Sequence, residues 1–170
     1  MLWRANTKNA PDPEEIENEI ERQKKKNFNS NLSVEEIKKD IVYKLSNNIS
    51  IVSCFDVDKY IKECNTESLI DAIRVYIFDN DIFDISHRKE CYIAVEVEEH
   101  EVSLNKSYYH VMIKIRLDDI DKMSKVSSII KNIITELYPN REKYSNVPFR
   151  PETQSYEYDA YHRMITFDVK

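Results

Sequence analysis

Four groups of residues have types and spacings that could carry chemistry. Asp79, Asp81 and Asp84 form a D-x-D-x-x-D cluster, and Glu90 follows eleven residues after Asp79. Those are the ends of a calcium loop in outline. The turn position that needs glycine holds Asp84, however, and Phe83 stands where an oxygen ligand belongs. The cluster therefore reads as an acidic turn that ends a helix. His87 and Cys91 lie four apart with Glu90 between them. Zinc would require two further ligands, drawn from Cys54, Cys64, His100 or His110. Cys91 begins an alternating segment on its apolar side, so it reads as a core thiol rather than a ligand. His100 and His110 flank a turn close to Glu98 and Glu99, a pairing that could serve acid–base work. Residues of these types are equally ordinary on exposed strand ends. No serine has the flanking turn that would present it as a nucleophile. Lys114 has no adjoining acid of the nuclease type on its strand. No catalytic residue, no cofactor and no metal is expected, and the chain reads as a non-enzyme.

The 170 residues contain no glycine at all. That excludes a Gly-rich phosphate loop, a dinucleotide fingerprint and a glycine-flanked nucleophile elbow, each of which needs glycine at a fixed place. Lys+Arg is 25 against Asp+Glu 31, a formal net charge of −6. A nucleic-acid binder usually carries a basic face, and this balance does not favour one. The dense run Lys24, Lys25, Lys26 sits at the end of a predicted helix, where cations complement the dipole. Three cysteines without CxxC spacing suit free, mostly buried thiols in a reducing compartment. No apolar run approaches the roughly 20 residues of a membrane span, and no signal-peptide core opens the chain. A cytoplasmic site of synthesis is expected.

Such side chains are placed by elements that the spacing of apolar residues predicts. Residues 1–32 read as an arm plus a polar helix. Met1, Leu2 and Trp3 are apolar at a terminus, and Trp3 either folds back or anchors the arm on a neighbour. Asp12 and Pro13 open the helix, in which only Ile16 and Ile20 are apolar. Residues 33–170 read as one α+β domain. Ser33 and Glu36 form a capping box for a helix that presents Val34, Ile37, Ile41 and Leu45 on one face. Ile49 to Phe55 is β-branched and reads as a short strand. Asp56 to Cys64 suits one or two helical turns. A helix over 67–78, capped by Asn65 or Thr66, would turn Leu69, Ile73, Tyr76 and Ile77 inward.

The second half has the stronger periodicity. Cys91, Ile93, Val95 and Val97 alternate with Tyr92, Ala94, Glu96 and Glu98. Tyr109, Val111, Ile113, Ile115 and Leu117 alternate with His110, Met112, Lys114 and Arg116. A hairpin through about 102–107 follows, with Glu96 and Glu98 near Lys114 and Arg116. Asp118 or Asp119 caps a helix to Leu137 whose apolar stripe is wide enough to cover a sheet. Residues 140–155 read as a long polar loop, and 157–170 as a last strand with Tyr161, Arg163, Ile165, Phe167 and Val169 on one side. The fold expected is a three- or four-stranded, mainly antiparallel sheet covered by helices, in the order α-α-(β)-α-β-β-α-β.

The strand Tyr108 to Leu117, the helix Asp121 to Leu137 and the closing YHRMITFDVK from Tyr161 resemble the tail-terminator or tail-completion proteins of tailed bacteriophages. The resemblance covers about residues 90–170 and is one of layout. It implies a helix, an antiparallel sheet, a helix across it and a closing strand. It implies a ring-forming virion protein of the neck or tail, joined to neighbouring neck and tail proteins, with DNA passing through the lumen and no specific nucleic-acid binding. A ring needs a head-to-tail interface. Its candidate contacts are Met1, Leu2, Trp3, Asn105 at the hairpin tip, and Tyr144, Phe149 and Arg150 in the long loop, residue types favoured at interfaces. The other reading is an acidic inhibitor or immunity-type protein that binds a basic partner such as a nuclease or toxin.

Overall fold

The computed structural model describes residues 32–65, 67–79, 90–103, 106–139, 152–157 and 159–169. The predicted polar helix near residues 12–26, the Lys24–Lys26 run, His87, Asp81 and Asp84 lie outside them. In the described residues five helices and five strands follow one another: α1 (Val34–Ser46), α2 (Ile49–Val52), α3 (Val57–Cys64), α4 (Leu69–Arg74), β1 (Ile77–Asp79), β2 (Tyr92–Ser103), β3 (Lys106–Leu117), α5 (Ile120–Leu137), β4 (Thr153–Glu157) and β5 (Ala160–Val169). The strands form one sheet in the order β1-β2-β3-β5-β4. Only β1 on β2 is parallel, and the other three pairings are antiparallel. The α+β class is as expected, but the sheet has five strands rather than three or four.

The predicted alternation sets the register. Ile93 lies opposite Ile115, Val95 opposite Ile113 and Val97 opposite Val111. Ile113 then faces Ile165, and Val111 faces Phe167. This apolar side of the sheet packs on α1 through Ile37, Ile41 and Leu45, and on α5 through Met123, Val126, Ile130 and Ile134, all with no exposed surface. Each large side chain so buried contributes about 1.5–3 kcal/mol. Asp119 caps α5, its carboxylate accepting from the amides of Asp121 at 2.7 Å and Lys122 at 3.2 Å. That resolves the choice between Asp118 and Asp119.

Four expectations are corrected. Ile49–Val52 is a helical turn, not a strand: the Asn48 side chain accepts from the Ile51 amide, and Ile51 and Phe55, four apart, are the buried pair. The helix predicted over 67–78 stops at Arg74, and Ile77–Asp79 becomes an edge strand. Its cap is Ser68, which accepts from the Asp71 amide, and Leu69 is 56% exposed rather than inward. Ile77 and Phe78 are β-branched and aromatic, which favours the extended chain once the turn at Val75 and Tyr76 has ended the helix. The loop expected over 140–155 contains the start of β4. Finally, the hairpin strands run on to Ser103 and from Lys106, with an irregularity between Glu101 and Ser103.

Without glycine, left-handed backbone falls to the residues that tolerate it best. Asn65 (φ 50°) ends α3, and Asp159 (φ 59°) turns β4 into β5. No helix among the described residues is long and apolar enough to cross a membrane.

Candidate interaction surface

The side of the sheet away from α1 and α5 carries rows of polar residues fixed by the register. The row Tyr92, Arg116, His162, Ser155 crosses β2, β3, β5 and β4. Beside it run Ala94, Lys114, Met164 and Thr153, then Glu96, Met112 and Thr166, then Glu98, His110 and Asp168. His100 and Tyr108 close the hairpin end. Arg116, Lys114 and His162 thus lie toward the end where β4 pairs, and Glu96, Glu98 and Asp168 lie toward the hairpin tip with His100 and His110.

The expected charge pairing holds in part. Lys114 Nζ donates to Glu96 Oε2 at 2.6 Å across the diagonal, with both side chains partly buried. A diagonal pair of this kind contributes about 0.2–1 kcal/mol. Glu98, by contrast, faces His110 rather than Arg116, because the register sets Arg116 opposite Tyr92. Nor are these rows wholly turned to solvent: Tyr92 is 6%, Ala94 0% and Arg116 5% exposed.

Near the hairpin tip, His110 Nδ1 lies 2.8 Å from Asp168 Oδ1. His100 stacks on Tyr108 at 5.0 Å between ring centroids and meets the His110 ring edge-on at 6.3 Å. His100 Nε2 stands 3.6 Å from Glu98 Oε2. The Asp168 carboxylate orients the His110 imidazole, as an acid–base pair would require, whereas Glu98 stands beyond hydrogen-bond reach of His100. No hydroxyl or thiol among the described residues is hydrogen-bonded to either ring. The described His, Cys, Asp and Glu residues form no group of three placed to hold a metal ion.

At the opposite end a shallow depression of about 260 Å³ lies between β3, β5 and β4. Lys114, Thr153, Ser155 and His162 supply its polar wall, and Tyr92 and Met164 its apolar one. The Nε2 of His162 is hidden from solvent and has no hydrogen-bond partner among the described residues. Sequence reading missed this end because Thr153 and Ser155 fell in the expected loop.

The three cysteines are free, as expected, but none is fully buried, and Cys64 is exposed. Burial pushes the thiols of Cys54 and Cys91 above their usual value, which lowers the thiolate fraction of each. Of the calcium-like cluster, Asp79 ends β1 and Glu90 precedes β2, both exposed. Met1, Leu2, Trp3, Asn105, Tyr144, Phe149 and Arg150 all lie outside the described residues.

β4 is exposed at all five positions, on both faces of the sheet. It is the last strand in the sheet order and is held by β5 alone among the described strands. No protein-family model matches the chain, and neither a curated protein nor a solved structure matches it.

Proposed function

We propose that this chain is a non-enzymatic structural protein of the tailed-phage neck or tail, similar to tail terminators, that acts by ring self-assembly and docking. One observation carries the reading. The β2–β3 hairpin, the α5 helix across the sheet and the closing strand β5 occur in the order and packing that the phage resemblance implies. Met1, Leu2, Trp3, Asn105, Tyr144, Phe149 and Arg150 are its contact candidates. The acidic balance suits a conduit that lets a polyanion pass without holding it.

The test is absolute mass by light scattering across a concentration series, with negative-stain images of the same samples. Six or more copies in closed rings are expected. A mass of about 20 kDa at every concentration, with no rings on the grid, would remove the reading.

A second reading has its own observation. Glu98, Glu99 and Glu101 are all exposed near the hairpin end of β2, Glu98 on one face of the sheet and Glu99 and Glu101 on the other, beyond the Lys114 that pairs with Glu96. An acidic hairpin end of this kind would suit an inhibitor that docks on a basic enzyme. Its mark would be one-to-one binding that weakens steeply with salt.

A further inference from the structure

Among the described residues, the outer edge of β4 carries no lysine, proline, bulge or covering element that would keep it from pairing. Natural edges are blunted by lysine, proline, a bulge or a covering element. Thr153-Gln154-Ser155-Tyr156-Glu157 contains no lysine and no proline, and its pairing with β5 runs through five consecutive residues without a bulge. All five residues are exposed, and no described element lies beyond them in the sheet. Its one charge, Glu157, is at the end of the strand.

We propose that this edge binds the same edge of a second copy, antiparallel, about a two-fold axis through Ser155. The register follows from charge and length. Centring on Ser155 pairs all five residues: Thr153 with the second copy's Glu157, Gln154 with its Tyr156, and Ser155 with Ser155. No like charges then face each other, and the two Glu157 carboxylates stand about 14 Å apart along the strands, four residues at about 3.4 Å each. Moving the centre to Glu157 would set the two carboxylates directly opposite, which is unfavourable. The aromatic residues fit the same register. Tyr156 is 59% exposed and packs on Tyr161 at 4.8 Å between centroids. In the paired sheet the two Tyr156 rings become diagonal neighbours on one face, about 7–8 Å apart at the backbone and within reach of each other. The five-stranded sheet becomes a ten-stranded one. Five paired residues make a contact smaller than the roughly 1,200 Å² of a stable complex, so the association is expected to be weak and reversible.

This contact is a second interface beside the ring reading, because a two-fold contact alone closes no ring. Cysteine cross-linking tests it, in a Cys64→Ser background that removes the exposed native thiol. Under mild oxidation at about 100 μM protein, Ser155→Cys is expected to give a covalent dimer, since position 155 meets itself on the axis. Thr153→Cys, equally exposed on the same strand, is expected to stay monomeric on a non-reducing gel, because its copy lies about 14 Å away. Equal cross-linking at both positions, or none at Ser155→Cys, would overturn the proposal. The outcomes also separate the two readings. Large rings without a 155 cross-link leave the ring and remove the β4 contact. A 155 cross-link with a dimer as the largest species does the reverse.

Discussion

Arg163 lies in a row that the sequence marks as core, between Tyr161 and Ile165. The alternation placed it correctly on the helix-facing side of β5, yet nothing in the spacing indicated what would receive its charge. In the structure its guanidinium donates to Ser127 Oγ on α5 at 2.9 Å and to Gln154 Oε1 on β4, and it lies 3.6 Å from Glu152. Ser127 sits inside the apolar stripe of α5, and Gln154 falls in the segment expected to be a loop. A side chain's own row is legible from period-two alternation, whereas its partners depend on elements far away in sequence. Tyr138 is a second case. Burial raises its phenol above the usual 10.0, and the Asp40 carboxylate adds to the effect. The unfolded chain therefore loses this proton near pH 10 while the folded chain keeps it. The stability tied to the neutral phenol is complete below about pH 10 and falls as pH rises further, by up to about 1.4 kcal/mol per pH unit. The raised thiols of Cys54 and Cys91 act in the same direction from about pH 9. Urea midpoints at pH 9, 10 and 11 should fall, and Tyr138→Phe should make the fall shallower above pH 10. Identical slopes in the two proteins would show that Tyr138 titrates normally.

Elements with long periodic signals were legible, and elements shorter than about two turns were not. α5 and the hairpin each offer many repeats of one period, so local preference and tertiary burial agree. Ile49-Ser50-Ile51-Val52 offers only four residues, and β-branching points to a strand. The Asn48 cap and the spacing of Ile51 to Phe55 decide instead for a helical turn. The two assignments differ in a measurable way. A strand would set Ile49 and Ile51 on one face with similar burial, whereas the turn leaves Ile49 84% exposed and Ile51 fully buried. Ile51→Ala should therefore cost about 2–5 kcal/mol, and Ile49→Ala no more than about 0.5 kcal/mol, in urea unfolding. Comparable losses at both positions would speak for the strand. β4 was missed for the opposite reason. Its residues are polar and exposed on both sides, so no alternation records it, and only its ladder to β5 makes it a strand.

The whole molecule carries −6, and that charge acts on both functional readings with opposite signs. Two copies approaching each other repel. At a separation of about 35 Å, suited to a domain of this size, the repulsion is about 1 kcal/mol when the Debye length is about 30 Å, in 10 mM salt. It nearly vanishes at 150 mM, where the Debye length is about 8 Å. Neither the five residues of β4, which include one carboxylate, nor the apolar contact candidates Met1, Leu2 and Trp3 form intermolecular ion pairs that salt would weaken. Self-association through them should therefore strengthen by roughly five- to ten-fold between 10 and 150 mM sodium chloride. Binding of a basic partner to the acidic hairpin end at Glu98, Glu99 and Glu101 should weaken over the same range, because there screening removes attraction. Sedimentation equilibrium at the two salt concentrations reads the first effect directly. Association that falls with salt would mean that the copies meet through opposite charges. That result would count against both the apolar terminus and the β4 edge as the contacts, and would point to a charged surface such as the acidic hairpin end engaging lysines of the neighbouring copy.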